Sequence, residues 1–181
     1  MNLLPSDCAA TVLPFKGVHP EIHPSVFLAH GAVILGDVVL GKDSSVWFNA
    51  VIRGDVHWIR IGNRTNVQDL AMLHVTHKKN PLTIGDNVTI GHSAVLHGCT
   101  IEDNVLIGMN ATVMDRAVIK HHTLVAAGAL VLENFDPPPN VLIAGVPAKV
   151  VRELRDEECR MIEQSAQNYV NYVAEYRNGN T

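Results

Sequence analysis

Between Leu82 and Leu132, apolar residues return every six positions. Ile84, Ile90 and Leu96 are followed, after one step of five, by Ile101, Ile107, Val113, Ile119, Val125 and Val131. A helix repeats near 3.6 and a half-exposed strand near 2, so neither produces a sustained six. Two positions before most of these residues stands a small or β-branched one: Val88, Ala94, Val105, Ala111, Ala117, Thr123, Ala129. Such a pair marks a short strand with one face inward, and the polar residues and glycines between pairs turn the chain. Three units make a coil of about 18 residues, which predicts a parallel β-helix of triangular section held by neighbour-on-neighbour stacking. A β-sandwich is the competing architecture, but its strands are not usually so short or so evenly spaced.

The same period opens earlier, with Ile22, Leu28, Ile34, Leu40, Val46 and Ile52 and inward partners Ala32, Val38, Ser44 and Ala50. Nine residues separate Ile52 from Ile61, so an extra short connection is expected over 56–60. Ile61, Val67 and Leu73 complete a third coil, and residues 74–81 read as a polar loop leaving the prism. Val141 and Ile143 add a last strand after the Pro137, Pro138, Pro139 breaker run. Leu154, Met161, Ile162, Ala166, Tyr169, Val173 and Tyr176 recur at helical spacing. They predict one amphipathic helix over 156–177, with Asp156 as N-cap, covering prism surface or a subunit contact. Residues 1–17 are expected to cap the first coil and 178–181 to fray. The chain thus divides into an all-β prism with its cap over 1–150 and a helical tail over 151–181.

Charge and cysteine usage exclude several classes. The formal net charge is -4, with no Lys/Arg stripe, so nucleic acid is not an expected partner. Cys8, Cys99 and Cys159 form neither a C-x-x-C pair nor a disulfide framework. No apolar run approaches the roughly 18 residues of a membrane span. The first twenty residues have no basic start leading into an apolar run, so no signal peptide is expected. A cytoplasmic, non-membrane protein is the expectation.

The period gives every histidine an address. His74 follows Leu73 and His97 follows Leu96, the third inward residues of consecutive coils. They therefore point out of one face, stacked at roughly 4.8 Å, close enough for two imidazoles to share a metal at M–N distances of about 2.0–2.1 Å. The plainer reading is two unrelated surface histidines. His92 lies two residues after Ile90, on a neighbouring side of the prism. A second subunit could bring it to the other two, and a three-fold trimer would repeat that site at each interface. Three neutral histidines with an open fourth position make a catalytic rather than a structural zinc arrangement. Asp69 shares the address of His92 one coil earlier, with Gln68 beside it. Arg53 and Asp55 follow Ile52 and read either as an interface pair or as an exposed turn salt bridge. His121 and His122 sit in a turn and read as solvated.

The segments Val51 to Asp55, Asn66 to Asp69, Leu73 to Val75, Ile90 to His92 and Val95 to Gly98 together resemble the gamma-class carbonic anhydrase family. The resemblance covers roughly residues 15–177. It implies a left-handed parallel β-helix with a C-terminal α-helix, assembled as a homotrimer. It implies zinc as cofactor, with iron(II) or cobalt(II) as alternatives, held by His74 and His97 of one subunit and His92 of the next. It makes Arg53 and Asp69 an ion pair near the interface, Asp55 an interface or site residue, and Gln68 the group that positions the metal-bound water or hydroxide. Asn168 and Tyr169 fall near the site rim. The implied reaction is reversible hydration of carbon dioxide to bicarbonate, a lyase activity in which metal coordination lowers the pKa of water.

The chain departs from the best-known members in three places. Val56 replaces a glutamate, the loop Thr76 to Pro81 is short and basic instead of long and acidic, and Leu70 stands where glycine is usual. These departures resemble a shorter bacterial branch and leave His77 or His57 to pass protons. The hexapeptide repeat and the segment Ala144 to Lys149 also resemble acyltransferases that use a CoA thioester. A non-catalytic metal-binding or assembly protein is the third reading.

Overall fold

The computed structural model describes residues 9–179, and the expectations for residues 1–8 and 180–181 lie outside that range. Within it the chain winds into a left-handed parallel β-helix closed by one C-terminal helix. The inward residues stack in register along three faces. Ile22, Leu40, Ile61, Ile84, Ile101 and Ile119 form the first ladder. Leu28, Val46, Val67, Ile90, Ile107, Val125 and Ile143 form the second. The third contains Ile34, Ile52, Leu73, Leu96, Val113 and Val131. The small residues at the alternate inward positions, Ala32, Ala50, Ala94, Ala111 and Ala117 among them, are fully buried. They fit the narrow corners between faces, where a larger side chain would overfill the section.

The corners explain much of the polar sequence. At one residue per turn the backbone enters the left-handed region, and Asn49, Asn87, Asn104 and Asn110 take it with φ between 55° and 59°. Asparagine tolerates that conformation better than most residues. Leu70 adopts it too, at φ 61°, with its side chain 61% exposed. A glycine would adopt it without steric cost.

The nine-residue step after Ile52 does not form a separate connection. Val51–Ile61 is one continuous eleven-residue strand. Residues 55–58 bulge out of its register with Val33–Leu40, whose Gly36 pairs Gly54 and whose Val38 pairs Ile59. The bulge is supported from outside, because Lys78 N donates to Val56 O at 3.1 Å. Thus the insertion at 55–58 and the loop over 75–81 meet on the outside of one corner.

Val141–Gly145 closes the second face, and Ala148–Glu153 folds back on it in antiparallel pairing. The helix spans Asp156–Asn178, one residue longer than its apolar spacing predicts. Its N-cap is Arg155 and not Asp156: Arg155 is still extended, and the Glu158 carboxylate accepts its backbone N–H at 2.9 Å. Ile162, Ala166 and Val173 are the buried face. An aromatic cluster of Phe27, Trp47, Phe48, Tyr169 and Tyr176 packs the helix's second half against the second face. No helix among the described residues is long and apolar enough to cross a membrane.

Candidate active site

His74 and His97 project from adjacent rungs of the third face, paired in register as their addresses predict. Their rings lie 5.1 Å apart, and His74 Nδ1 is 3.1 Å from His97 Nε2. Each outer nitrogen meets a carboxylate. His74 Nε2 is 3.1 Å from Asp55 Oδ1, and His97 Nδ1 is 2.6 Å from Asp115 Oδ1. The result is a continuous line, Asp55–His74–His97–Asp115, running along the prism axis. Arg53 closes one end by donating to Asp55 Oδ2 at 2.6 Å. Thr76 and Asn80 close the other by donating to Asp115 Oδ2.

This line constrains the protons. It contains three contacts, and each needs one N–H. Two neutral imidazoles supply one N–H apiece. With both carboxylates ionised, the pair is therefore one proton short, and a single added proton satisfies every contact. Burial works against the charged form of Asp55, but the hydrogen bonds from Arg53 and His74 outweigh it and hold its pKa below the ordinary value. Burial likewise opposes Asp115, and Thr76, His97 and Asn80 overcome it. Both carboxylates thus stay ionised near neutral pH. Burial pushes the His74 pKa down; Asp55 pulls it up, and the Arg53 charge pushes it further down. The net direction is downward, so His74 is kept deprotonated and ready to accept.

The other predicted residues lie around a different corner. His92 Nδ1 is 2.9 Å from Asp69 Oδ2, one coil away, as their shared address predicts. Arg53 bonds Asp55 within the chain, so the expected Arg53–Asp69 pair is not formed in one copy. Gln68 is 95% buried and donates to Asn66 Oδ1 at 3.1 Å, which turns its amide along the second face. Gln68, Gly91, His92, Met109, Ser165 and Tyr169 line a groove of about 440 Å³ between that face and the helix. Burial, with Asp69 nearby, pushes the Tyr169 hydroxyl up to about 12, so it stays protonated as a donor. His77 is exposed at the loop tip and does not join the His74–His97 line.

Asp115 is the site residue that the sequence reading missed. The signal was present: Asp115 stands two residues after the inward Val113, one coil beyond His97. By address Asp115 stacks on Gly98, and the missing side chain there lets its carboxylate reach the His97 ring.

Family models match the chain in two descriptions. "Bacterial transferase hexapeptide (six repeats)" covers residues 19–54 and 98–133, and "Hexapeptide repeat of succinyl-transferase" covers residues 81–114. A carbonic anhydrase of Geobacillus kaustophilus is 45% identical over 159 residues, covering 88% of this chain and 87% of the relative. The chain belongs to the hexapeptide-repeat, gamma-carbonic-anhydrase-like family of left-handed β-helix proteins. Gamma carbonic anhydrase 2 of Arabidopsis thaliana mitochondria is 46% identical over 157 residues, 84% of this chain. The chain spans only 56% of that relative's length. Among solved structures, a hexapeptide transferase family protein from Anaplasma phagocytophilum superposes with a TM-score of 0.88. It is 40% identical and covers 92% of this chain and 98% of its own. An acetyltransferase from Vibrio cholerae, in complex with acetyl coenzyme A, has a TM-score of 0.56 and 28% identity over 70% of this chain and 72% of its own. The family therefore includes both carbonic anhydrases and CoA-dependent acyltransferases.

The expectation of zinc, with iron(II) or cobalt(II) as alternatives, is corrected here. A solved relative of this fold takes a CoA thioester. Within one copy the imidazole nitrogens are also engaged elsewhere. All four nitrogens of His74 and His97 face each other or a carboxylate, not a common centre.

Proposed function

We propose that this chain is an enzyme whose His74–His97 pair takes a proton from a small nucleophile as that nucleophile attacks an electrophilic carbonyl carbon. The observation that carries this reading is the proton shortfall of the Asp55–His74–His97–Asp115 line. The pair gains a hydrogen bond on accepting the proton, and the nucleophile must part the 3.1 Å His74–His97 contact to deliver it, because a general base takes a proton only within hydrogen-bond reach. Arg53 holds Asp55, and Asp55 holds His74.

Two substrates fit this step, each with its own support. A CoA thioester is supported by the hexapeptide transferase models and by the acetyl-CoA complex of the Vibrio relative. In that reaction the imidazole removes a proton from an amine or hydroxyl acceptor. The freed electron pair attacks the thioester carbonyl, the C–S bond breaks, and the CoA thiolate leaves and takes up the proton. Carbon dioxide is supported by the carbonic anhydrase relatives. There the nucleophile is water, whose oxygen adds to carbon as its proton passes to the pair, giving bicarbonate.

The unit we infer is a homotrimer. His92, Asp69 and Gln68 sit around a corner from the pair, and a neighbouring copy would complete the site with that corner. Such a contact would bring a third imidazole and the groove beside Tyr169 to the substrate.

The test uses one purified, assembled sample. Carbon dioxide hydration and acetyl-CoA consumption with a panel of amine and alcohol acceptors are assayed side by side, with metal content measured on the same material. His74→Ala and His97→Ala should each lower the true activity by about 10²–10⁴-fold. Which assay collapses identifies the substrate. Neither reaction in a folded, assembled sample would overturn the enzyme reading. Stoichiometric metal on the two rings would remove the free-base step.

A further inference from the structure

The Asp115 carboxylate is gripped from several directions. Its Oδ1 meets His97 Nδ1 at 2.6 Å, while its Oδ2 accepts the Thr76 hydroxyl and, at 3.0 Å, the Asn80 amide. The side chain is 14% exposed. Gly98, next to His97, is shaped around it: a Cβ there would stand 2.4 Å from Asp115 Oδ1, and Gly98 has φ +54°. Thr76 and Asn80 also close their loop on themselves, with Thr76 N donating to Asn80 O at 3.1 Å. One carboxylate therefore joins a ring of the candidate base to the loop that carries His77, Lys78 and Lys79.

We infer that Asp115 is a positioning residue that fixes His97 as the Nδ1–H tautomer and locks the 76–80 loop to that ring. The inference rests on the proposed base role of the pair. The logic is one of donors and acceptors. Thr76 and Asn80 donate to one oxygen, and an ionised carboxylate can only accept at the other. His97 Nδ1 must then carry the hydrogen, and Nε2 keeps its lone pair toward His74. A loop displacement that pulled Thr76 and Asn80 away would free the carboxylate to rotate and release the ring. The loop and the base thereby act as one unit, so a substrate that presses on residues 77–79 is sensed at His97.

Asp115→Asn separates this from a merely structural role, because it preserves shape and reverses the donor pattern. Thr76 and Asn80 keep the amide oxygen, so the new NH₂ faces His97 and demands an acceptor there. The tautomer should invert to Nε2–H. Long-range ¹H–¹⁵N spectra of the assembled protein labelled with ¹⁵N-histidine read this directly. On whichever substrate the wild type turns over, kcat should fall by about 10²–10⁴-fold with KM within about twofold, the signature of a misdirected base. Retention of the Nδ1–H tautomer in D115N, or an unchanged kcat beside an inverted tautomer, would overturn the proposal. If the wild type turns over neither substrate, the base role fails alone, and tautomer inversion still upholds the hold of Asp115 on the ring. Thr76→Val gives a second reading that spares the carboxylate. Amide exchange across 76–80 should speed up severalfold while His97 remains Nδ1–H, and unchanged exchange would remove the loop from the unit.

Discussion

Thr123 carries a hydroxyl into the prism core, where its neighbours along the corner are Val105 and Val141. It is fully buried, and its oxygen has no hydrogen-bond partner. A buried hydroxyl left unpaired costs about 1–3 kcal/mol. Valine has nearly the same shape and no such penalty, so Thr123→Val should raise stability by about 1 kcal/mol, seen as a higher denaturant midpoint at unchanged slope. A lower midpoint would mean that the hydroxyl has a partner in the assembled protein. Asp55 and Asp115 carry a second prediction at this scale. Both have folded-state pKa values below the ordinary 3.8. The unfolded chain then binds protons more readily, so their stabilisation is complete above the unfolded value and is lost as pH falls through the folded one. Stability should decline from about pH 5 downward, and D115N should flatten part of that acid limb. An identical acid slope in D115N would show that Asp115 has no depressed pKa. The residue scale is also where the sequence was only partly legible. Stacked addresses identified the His74–His97 and Asp69–His92 contacts. The Arg53–Asp55 pair was legible as two neighbours on one strand, but not that Asp55 reaches on to the His74 ring, because that depends on side-chain reach.

Among the elements, the long helix depends on aromatic packing more than on its own sequence. Its buried aliphatic face is only Ile162, Ala166 and Val173, and its exposed side is mostly polar, with Met161, Tyr172 and Tyr176 as the large apolar exceptions. Trp47, 5% exposed, is the anchor, with ring centroids 5.3 Å from Tyr169 and 5.2 Å from Tyr176. Its indole N–H is satisfied by Ser45 Oγ at 2.9 Å, so the ring is buried without an orphan donor. Trp47→Ala should cost about 3–5 kcal/mol. It should also raise amide exchange preferentially in the helix's second half, while the 82–132 coils stay protected. Tyr176→Ala, removing a ring 54% exposed, should cost much less. Equal losses would mean that the helix is held elsewhere. The helix was visible in the sequence as a 3.6 period, but its partner was not: Phe27, Trp47 and Phe48 lie in a region read only for its period of six. The bulge at 55–58 was hidden for a similar reason. A nine-residue gap shows that the phase slips, and only the pairing of Val56 with the later loop at Lys78 determines that the strand continues through it.

In the whole molecule, two clusters of polar side chains lie around a corner from each other. One holds His74, His97, Asp55 and Asp115, and the other holds His92, Asp69 and Gln68 beside the helical groove. The rungs that carry the two clusters pair in register on different faces, and that stacking holds the clusters apart within one copy. In the homotrimer proposed above, another copy would bring the two clusters together, and a closed ring would make each contact equivalent. Three copies of a 19.7 kDa chain should appear by light scattering. Mass alone does not show that sites are shared, but subunit mixing does. His74→Ala and His92→Ala should each abolish activity alone, since every interface then lacks one half. Unfolded, mixed in equal amounts and refolded together, they assort at random. An interface is intact only where a H92A chain presents its His74 half and a H74A chain presents its His92 half, which happens in about one quarter of interfaces. Activity should therefore return to about a quarter of wild type in the mixture, from two inactive parents. Mixing without refolding should restore nothing on the same timescale if the trimer is tight. A refolded mixture that stays inactive, while each parent forms a trimer of normal mass, would place both halves of the chemistry within one chain, and an active H92A parent would remove His92 from the site.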